Sequence, residues 1–183
     1  DELRYWNMYH QGIDDLKREH IYCPKSIYRN RRLLDNSLMT FCYYMPEIDK
    51  WKLYRPFAPK RTKDTPPDMW KWDNSLGTLQ YVENLDRMNG TVGVMAKSRK
   101  DGMVLRKALG IESICNVQAE DISALNDEVL YQIWANCKLK VIAADSDEKG
   151  KRFSWAMCTD HGYIHCNTPD HLLPEINDWA DYG

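Results

Sequence analysis

The sequence predicts an α/β protein, in which a parallel four-stranded sheet with flanking helices is preceded by a small α+β subdomain with a β-hairpin. From residue 91 onward, short apolar runs alternate with helical segments, as in strands that are joined by helical crossovers. Before residue 91 the pattern differs, because two short helical stretches are followed by two runs of strand-forming residues around a turn. This change near residue 90 predicts two domains, residues 1–90 and 91–183.

The first domain is predicted to begin with helices and to continue into a hairpin. Apolar residues in 2–20 recur near the helical period, and a glycine divides that stretch into two helices. Residues 37–45 and 51–57 are rich in strand formers, and residues 46–50 between them predict the hairpin loop. The following residues, 58–67, are basic and contain prolines, which indicates a loop.

The second domain is predicted to contain four strands and three helices in alternation. The strands are expected at residues 91–96, 112–117, 139–144 and 162–166. The helices are expected at residues 99–109, 123–137 and 148–159. Gly110 is the expected end of the first of these helices, and Ser123 is a candidate N-cap of the second.

The charges are distributed unevenly over a chain of 183 residues with a net charge of −2. Residues 25–63 hold ten Lys or Arg against three Asp or Glu, whereas residues 91–183 hold ten basic and fourteen acidic residues. A basic region beside an acidic one suits a protein that binds a polyanion and concentrates divalent cations. Solvated surfaces of ordinary charge are the alternative explanation.

The cysteines and the hydropathy pattern favour a cytoplasmic protein. None of the six cysteines forms a C-x-x-C pair, and Cys42, Cys115 and Cys166 fall in strand-like runs, where a free thiol acts as a small apolar filler. Reduced core cysteines are typical of a cytosolic setting. No stretch is long and apolar enough to cross a bilayer, so no membrane partner is expected.

A pair of carboxylates follows the third predicted strand of the second domain. Residues 141–144 are apolar, Asp145 and Asp147 come directly after them, and Gly150 and Lys151 follow. If the strand is buried, both carboxylates emerge at its carboxyl end, where open α/β sheets bind their ligands. Two hard oxygen ligands there can hold Mg²⁺ and leave positions for phosphate oxygens. Capping of the following helix is the structural alternative for these carboxylates.

On these residues the second domain resembles the topoisomerase–primase (Toprim) family. Residues 141–157 match that family's Asp-x-Asp segment, residues 93–101 take the place of its Glu-Gly-x-x-Asp loop, and residues 177–182 resemble its final acidic motif. The first domain is similar to the N-terminal part of the bacterial-type primase catalytic core, in its hairpin at 37–57 and in the run Lys71-Trp72-Asp73-Asn74-Ser75. The whole chain most resembles a phage-type primase or primase–helicase.

The resemblance implies a DNA primase, a nucleotidyltransferase that makes short RNA primers on a single-stranded DNA template. It implies Mg²⁺ or Mn²⁺ as the cofactor, ribonucleoside triphosphates as substrates and a replicative helicase as a candidate partner. A phage-encoded primase would act in the cytoplasm of its host.

The resemblance also assigns roles to individual residues. Asp145 and Asp147 are the expected main metal ligands, and Asp178 and Asp181 are expected to hold a second ion or to orient its water shell, with a solvated tail as the alternative. Asp101 retains the aspartate of the first loop and is expected to be catalytic, together with Asp145 and Asp147; a structural role in the first turn of a helix is its alternative. The cations expected to bind nucleic acid or nucleotide are Arg55, Lys60, Arg61, Lys71, Lys100 and Lys151.

Lys97 departs from the family pattern, because it stands where the family has its metal-binding and acid/base glutamate, and Ser98 replaces the glycine. An ammonium group cannot bind Mg²⁺ and repels it at close range. Three explanations are open. Glu120, after the second strand, supplies the missing carboxylate as a metal ligand; or Lys97 contacts phosphate in catalysis while the aspartates alone hold the metal; or the site has lost catalysis.

Two other functions are compatible with the same pattern. A Toprim nuclease would use the acidic cluster to activate water for metal-dependent strand cleavage. A degenerate Toprim module would bind nucleic acid or a replisome partner without catalysis. Trp51, Tyr54 and Trp72 offer stacking faces to bases under any of these functions, with packing in the core as the alternative.

Overall fold

The computed structural model describes residues 1–29, 32–33, 37–77, 81–120, 125, 127–166, 168 and 178–182. Two units divide the chain, Asp1–Leu79 and Gln80–Gly183, whereas the sequence pattern puts the division near residue 90. The difference arises because the strand Val82–Glu83 pairs with the strand Ile114–Val117 and so extends the second unit towards the N-terminus.

The first unit, in its described residues, contains two short helices and a four-stranded antiparallel sheet. The helices are α1 (Glu2–Asn7) and α2 (Ile13–Arg18). The strands are β1 (Ile21–Tyr22), β2 (Tyr28–Arg29), β3 (Arg32–Leu33), β4 (Phe41–Met45), β5 (Lys50–Tyr54) and β6 (Trp72–Asn74). Strands β1, β4, β5 and β6 form the sheet in that order, and β2 pairs with β3 separately. Strands β4 and β5 form the predicted hairpin, in register from Phe41 with Tyr54 to Met45 with Lys50.

Aromatic side chains fill the core of the first unit. Burial alternates along β4, so that Phe41, Tyr43 and Met45 face the interior. Trp6 of α1 is fully buried and packs edge-on against Phe41, with the ring centroids 5.4 Å apart. Burial of these rings therefore holds helix α1 against the hairpin.

The second unit is built around a five-stranded sheet in the part of the chain that is described. Its strands are β7 (Val82–Glu83), β8 (Val92–Ala96), β9 (Ile114–Val117), β10 (Leu139–Ala143) and β11 (Ile164–His165). Its helices are α3 (Arg99–Leu109), α4 (Asp127–Asn136), α5 (Glu148–His161) and α6 (Trp179–Tyr182). The order of the strands across the sheet is β11-β10-β8-β9-β7.

Strands β8 to β11 run parallel, which confirms the parallel four-stranded sheet predicted from the sequence. Strand β7 is an antiparallel addition at the edge, and its two residues are too few to show a strand period. The predicted N-cap Ser123 lies outside the described residues. Of the helices that the structure describes, none has the length and apolar character needed to cross a membrane.

Both faces of the parallel sheet are buried. Val94 and Ala96 of β8 pack with Leu105 of α3 on one face, and Met95 of β8 packs with Met157 of α5 on the other. Burial on both faces is typical of a parallel sheet covered by helices. The carboxyl ends of β8, β9 and β10 are therefore held at one edge of a well-packed sheet.

The cysteines are free thiols. Cys115 is buried in β9 and fills the core as predicted, and Cys42 is half-buried. The same expectation is wrong for Cys166, which is exposed because it follows the short edge strand β11.

Candidate active site

Three loops at the carboxyl edge of the parallel sheet bring charged side chains together. Lys97 follows β8 directly, Asp145 comes just after β10, and Glu120 comes just after β9. Because β8 lies between β10 and β9 in the sheet, the residue after β8 is flanked by the carboxylates that follow the two neighbouring strands.

The ammonium group of Lys97 contacts both carboxylates. Its Nζ donates a hydrogen bond to Asp145 Oδ2 and lies 3.2 Å from Glu120 Oε2. The other oxygen of Glu120, Oε1, accepts a hydrogen bond of 2.8 Å from the backbone N–H of Asp145. Glu120, whose side chain is 1% exposed, therefore contacts both the lysine and the loop that carries Asp145.

Asp147 completes a group of three carboxylates. Glu120, Asp145 and Asp147 each offer an oxygen atom, and these atoms lie within 4.8 Å of one another. Asp147 is exposed and is also the N-cap of α5, where its Oδ1 accepts a hydrogen bond of 2.8 Å from the backbone N–H of Gly150. Asp147 therefore caps helix α5, as the structural alternative from the sequence proposed, whereas Asp145 contacts Lys97.

The oxygen ligands that this carboxylate group offers suit a hard divalent cation. Carboxylate oxygens are the ligands that Mg²⁺ and Mn²⁺ prefer, and three of them are close enough to share one ion. Among the residues that the structure describes, Glu120 Oε2 is buried without a hydrogen bond, and the charge of Lys97, 3.2 Å away, balances it. The residues present can therefore hold Mg²⁺ or Mn²⁺.

Gly150 lets the start of helix α5 lie against the carboxylate group. A Cβ atom at this position would overlap the backbone carbonyl oxygen of Asp145 and would lie 2.7 Å from Glu120 Oε1. Non-bonded atoms do not approach so closely without strain. A larger residue would therefore have to move either the helix or the Asp145 loop, which gives the glycine of the Asp-x-Asp segment a packing reason.

The environment shifts the pKa of both members of the Lys97–Asp145 ion pair. Burial raises the pKa of Asp145 to about 6; Lys97 acts in the opposite direction, and the charges of Glu120 and Asp178 add to the rise. Burial alone would lower the pKa of Lys97, but the hydrogen bond and charge of Asp145, together with Glu120, outweigh it and raise that pKa above its usual value. Lys97 is therefore positively charged near neutral pH.

Asp101 connects helix α3 with helix α6. It is 3% exposed, and its Oδ1 accepts a hydrogen bond of 3.0 Å from the backbone N–H of Ala180. The hydroxyl of Ser98, the N-cap of α3, accepts from the backbone N–H of Asp101 and donates to its Oδ2. Burial, and then the charge of Asp178, raise the pKa of Asp101 to about 7. These contacts hold Asp101 between the two helices, and a catalytic role for it stays a prediction.

The C-terminal aspartates do not belong to the group of carboxylates within 4.8 Å of one another, as far as the described residues go. Asp178 Oδ1 accepts a hydrogen bond of 2.9 Å from the backbone N–H of Asp181, and its Oδ2 lies 3.9 Å from Lys100 Nζ. Asp181 is exposed. Asn177, the first residue of the final acidic motif, lies outside the described residues, and a second-ion role for the two aspartates stays a prediction.

The cations expected to bind nucleic acid differ in exposure. Those on the surface are Lys60, Arg61, Lys71 and Lys151. The guanidinium of Arg61 lies over the ring of Trp70, 3.9 Å from its centroid. Arg55, in contrast, is fully buried, and its Nη1 donates a hydrogen bond of 3.0 Å to the backbone carbonyl of Trp70. The basic sequence pattern groups Arg55 with the surface cations because charge alone does not show where a side chain lies.

The aromatic residues considered as stacking faces for bases pack largely within the first unit. Tyr54 is buried and stacks on Trp72 with the ring centroids 4.3 Å apart. The ammonium of Lys52 also lies over Trp72, 4.3 Å from its centroid. Trp51 is half-buried. For Tyr54 and Trp72, these contacts therefore favour packing within the protein over stacking on bases.

Asn116 is a positioning residue that the sequence motifs do not reveal. It is fully buried in β9, its Nδ2 donates to the backbone carbonyl of Ser98, and its Oδ1 accepts from Asn84. Gly102 lies against it, since a Cβ there would be 2.7 Å from Asn116 Oδ1. The amide therefore fixes the turn that follows Lys97, and its signal in the sequence is a single polar residue in the apolar run 114–117.

Comparison with known proteins relates this fold to primase catalytic cores. No protein-family model and no curated protein matches the chain. Among solved structures, the DnaG catalytic core matches with a TM-score of 0.65 at 13% identity, over 98% of this chain and 66% of that one. The E. coli primase catalytic core has a TM-score of 0.62 at 13% identity, over 98% of this chain and 67% of that one.

A third match is the DnaG primase catalytic domain bound to ssDNA, with a TM-score of 0.61 at 13% identity, over 98% of this chain and 65% of that one. The chain therefore spans about two thirds of the length of the solved cores that it matches. These matches confirm the predicted Toprim-type primase-core fold.

Proposed function

We propose that this chain forms part of the catalytic core of a DNA primase and carries out metal-dependent, template-directed synthesis of short RNA primers on single-stranded DNA. The proposal is supported most by two observations that agree, the fold of the chain and the position of its carboxylate group in that fold. The chain follows the fold of primase catalytic cores over 98% of its length, and its carboxylate group lies at the carboxyl edge of the parallel sheet, where such sheets bind their ligands.

Glu120, Asp145 and Asp147 would hold Mg²⁺ or Mn²⁺. When bound, the ion lowers the pKa of the attacking 3′-hydroxyl group and stabilises the charge on the leaving pyrophosphate. The protein's own residues position the ligands: Glu120 accepts a hydrogen bond from the backbone of Asp145, and Asp147 accepts one from Gly150. The carboxylates of Glu120 and Asp147 are therefore held by hydrogen bonds to the backbone of the site, which reduces the cost of organising them, and the carboxylate of Asp145 is held by Lys97.

Of the three explanations for Lys97, the geometry favours the first, because the carboxylate of Glu120 lies with those of Asp145 and Asp147. Asp101 acts through position, since it connects the start of α3 with α6. A second ion at Asp178 and Asp181 is part of the proposal and is tested by counting the metal ions that bind.

The exposed cations of the chain would bind the template backbone or the incoming ribonucleoside triphosphate. Lys60, Arg61 and Lys71 in the first unit are the main candidates, with Lys151 in the second; Lys100, which is half-buried and lies 3.9 Å from Asp178, is the weaker candidate. The matching DnaG domain that is bound to ssDNA supports this assignment. A replicative helicase is the candidate partner, and the free cysteines favour a cytoplasmic setting.

A primer-synthesis assay tests the proposal. The full chain is incubated with single-stranded DNA, ribonucleoside triphosphates and Mn²⁺, and the oligoribonucleotide products are resolved on a gel. Asp145→Asn should reduce synthesis by about 100-fold or more, because a charged ligand of the essential ion is lost. Asp160→Asn removes an exposed carboxylate at the other end of α5 and should leave synthesis unchanged.

The outcome separates the three functions. Equal synthesis by the wild type and Asp145→Asn would contradict the assignment of the site. Metal-dependent strand cleavage without synthesis would indicate the nuclease. Salt-sensitive DNA binding with neither activity would indicate the binding module.

A further inference from the structure

We propose that the ammonium group of Lys97 is a built-in cation of the carboxylate group, which holds the position between Asp145 and Glu120 and competes there with a divalent metal ion. This inference rests on the proposed function, because it concerns the same site. Its test, however, measures metal binding and not primer synthesis.

The Lys97 side chain lies where an ion shared by these two carboxylates would have to bind. Its Nζ donates to Asp145 Oδ2 and lies 3.2 Å from Glu120 Oε2. A divalent ion that used the same two oxygens would lie about 2–2.5 Å from each and hence within a few ångströms of Nζ. Two cations repel each other strongly at that range, so they exclude each other from this position.

The burial of Glu120 explains why a cation is needed there without metal. Its side chain is 1% exposed, and its Oε2 makes no hydrogen bond to any residue in the described part of the chain. A buried carboxylate is strongly disfavoured unless a positive charge balances it. Lys97 therefore balances the charge of Glu120, as a bound metal ion would otherwise do. The carboxylates of the site can then stay in place in the folded protein when no metal is bound.

The negative charge that remains is enough for one divalent ion. Lys97 offsets one of the two charges of Asp145 and Glu120, and the exposed Asp147 adds another. We therefore expect the ion that Glu120, Asp145 and Asp147 would hold to bind by displacing the Lys97 ammonium group from its contacts with Asp145 and Glu120. Its affinity should be lower than three unopposed carboxylates would give.

A Mn²⁺ titration, followed by the paramagnetic resonance signal of the free ion, tests this inference on four proteins. These are the wild type, Lys97→Met, Lys149→Met and the double variant Lys97→Met/Glu120→Gln. Lys97→Met should bind Mn²⁺ about tenfold more tightly than the wild type, because the competing charge is gone. Lys149→Met removes the same charge from an exposed residue in the first turn of α5 and should change affinity by less than about threefold.

The double variant tests the position of the competition. It removes the lysine together with the buried carboxylate that the lysine balances, so it should lose the gain in affinity. Thermal unfolding with and without Mn²⁺ is a second measurement, in which Mn²⁺ should raise the melting temperature of Lys97→Met more than that of the wild type. If Lys97→Met does not fold, Lys97→Gln carries the same test, since its amide can still donate to Asp145.

Three results would overturn the inference. Lys97→Met, or Lys97→Gln in its place, binds Mn²⁺ no more tightly than the wild type; or Lys149→Met gains as much; or the double variant keeps the gain. A chain that makes no primers but binds Mn²⁺ more tightly after loss of Lys97 would refute the proposed function alone. An active primase with unchanged Mn²⁺ affinity in Lys97→Met would refute this inference alone.

Discussion

Replacement of Gly150 by alanine tests how closely helix α5 must approach the carboxylate group. On an unobstructed helix, alanine in place of glycine adds about 0.5–1 kcal/mol of stability. Here the new Cβ would overlap the backbone carbonyl oxygen of Asp145 and lie 2.7 Å from Glu120 Oε1. Overpacking of this kind costs about 1–3 kcal/mol, and weakening the charge-assisted bond from Asp145 N–H to Glu120 costs about 1.5–3 kcal/mol.

The costs of overpacking and of the weakened hydrogen bond together exceed the gain in helix propensity, so Gly150→Ala should lower the free energy of unfolding by about 1.5–5.5 kcal/mol. Urea unfolding followed by circular dichroism measures this loss, and the Mn²⁺ affinity of the folded variant should fall as well. Lys149→Ala, at the exposed neighbouring position of the same helix, is the control and should stay within about 0.5 kcal/mol of the wild type. A Gly150→Ala variant as stable as the wild type would show that the close approach of α5 does not constrain the site.

Three further predictions concern the residues around the site and the basic surface. Burial raises the pKa of Asp101 to about 7 from 3.8, so the folded state binds this proton more tightly than the unfolded chain, and stability should fall as pH rises from about 4 to 7; Asp101→Asn should flatten that fall in urea midpoints measured across the same range. Glu83→Gln leaves the buried Arg99 without the carboxylate 2.7 Å from its Nε and should cost about 3–5 kcal/mol in urea unfolding, whereas Lys17→Gln, which breaks an exposed pair with Asp14, should cost less than about 1 kcal/mol. Lys71→Ala should reduce the slope of log affinity for single-stranded DNA against log salt by about 0.7 and leave the melting temperature unchanged. Arg55→Ala, which empties a fully buried position, should lower the melting temperature and leave the salt slope unchanged.

The sequence predicts the fold correctly where an element is long enough to show its hydrophobic periodicity. Strands β8 and β10 hold five residues each and are followed by helices with readable ends, so their place in a parallel sheet follows from the alternation of elements. Strand β7 has two residues, and its pairing with β9 depends on a contact that no local period shows. The position of Arg55 shows the same limit, because a basic residue next to a strand end gives no sign that its guanidinium will be buried.

At the candidate site, the order of the strands in the sheet explains contacts that the sequence motifs alone do not predict. Along the chain, Lys97, Glu120 and Asp145 are separated by more than twenty residues at each step, and the sequence leaves the role of the lysine open. In the sheet, β8 lies between β10 and β9, so the residue that follows β8 must meet the carboxylates that follow both neighbours. A lysine at that central position is therefore surrounded by negative charge, and Glu120 can be buried because the lysine balances it. The substitution of a lysine for the expected glutamate and the burial of Glu120 are thus two parts of one charge arrangement, and removal of either residue should change how the other binds a metal ion.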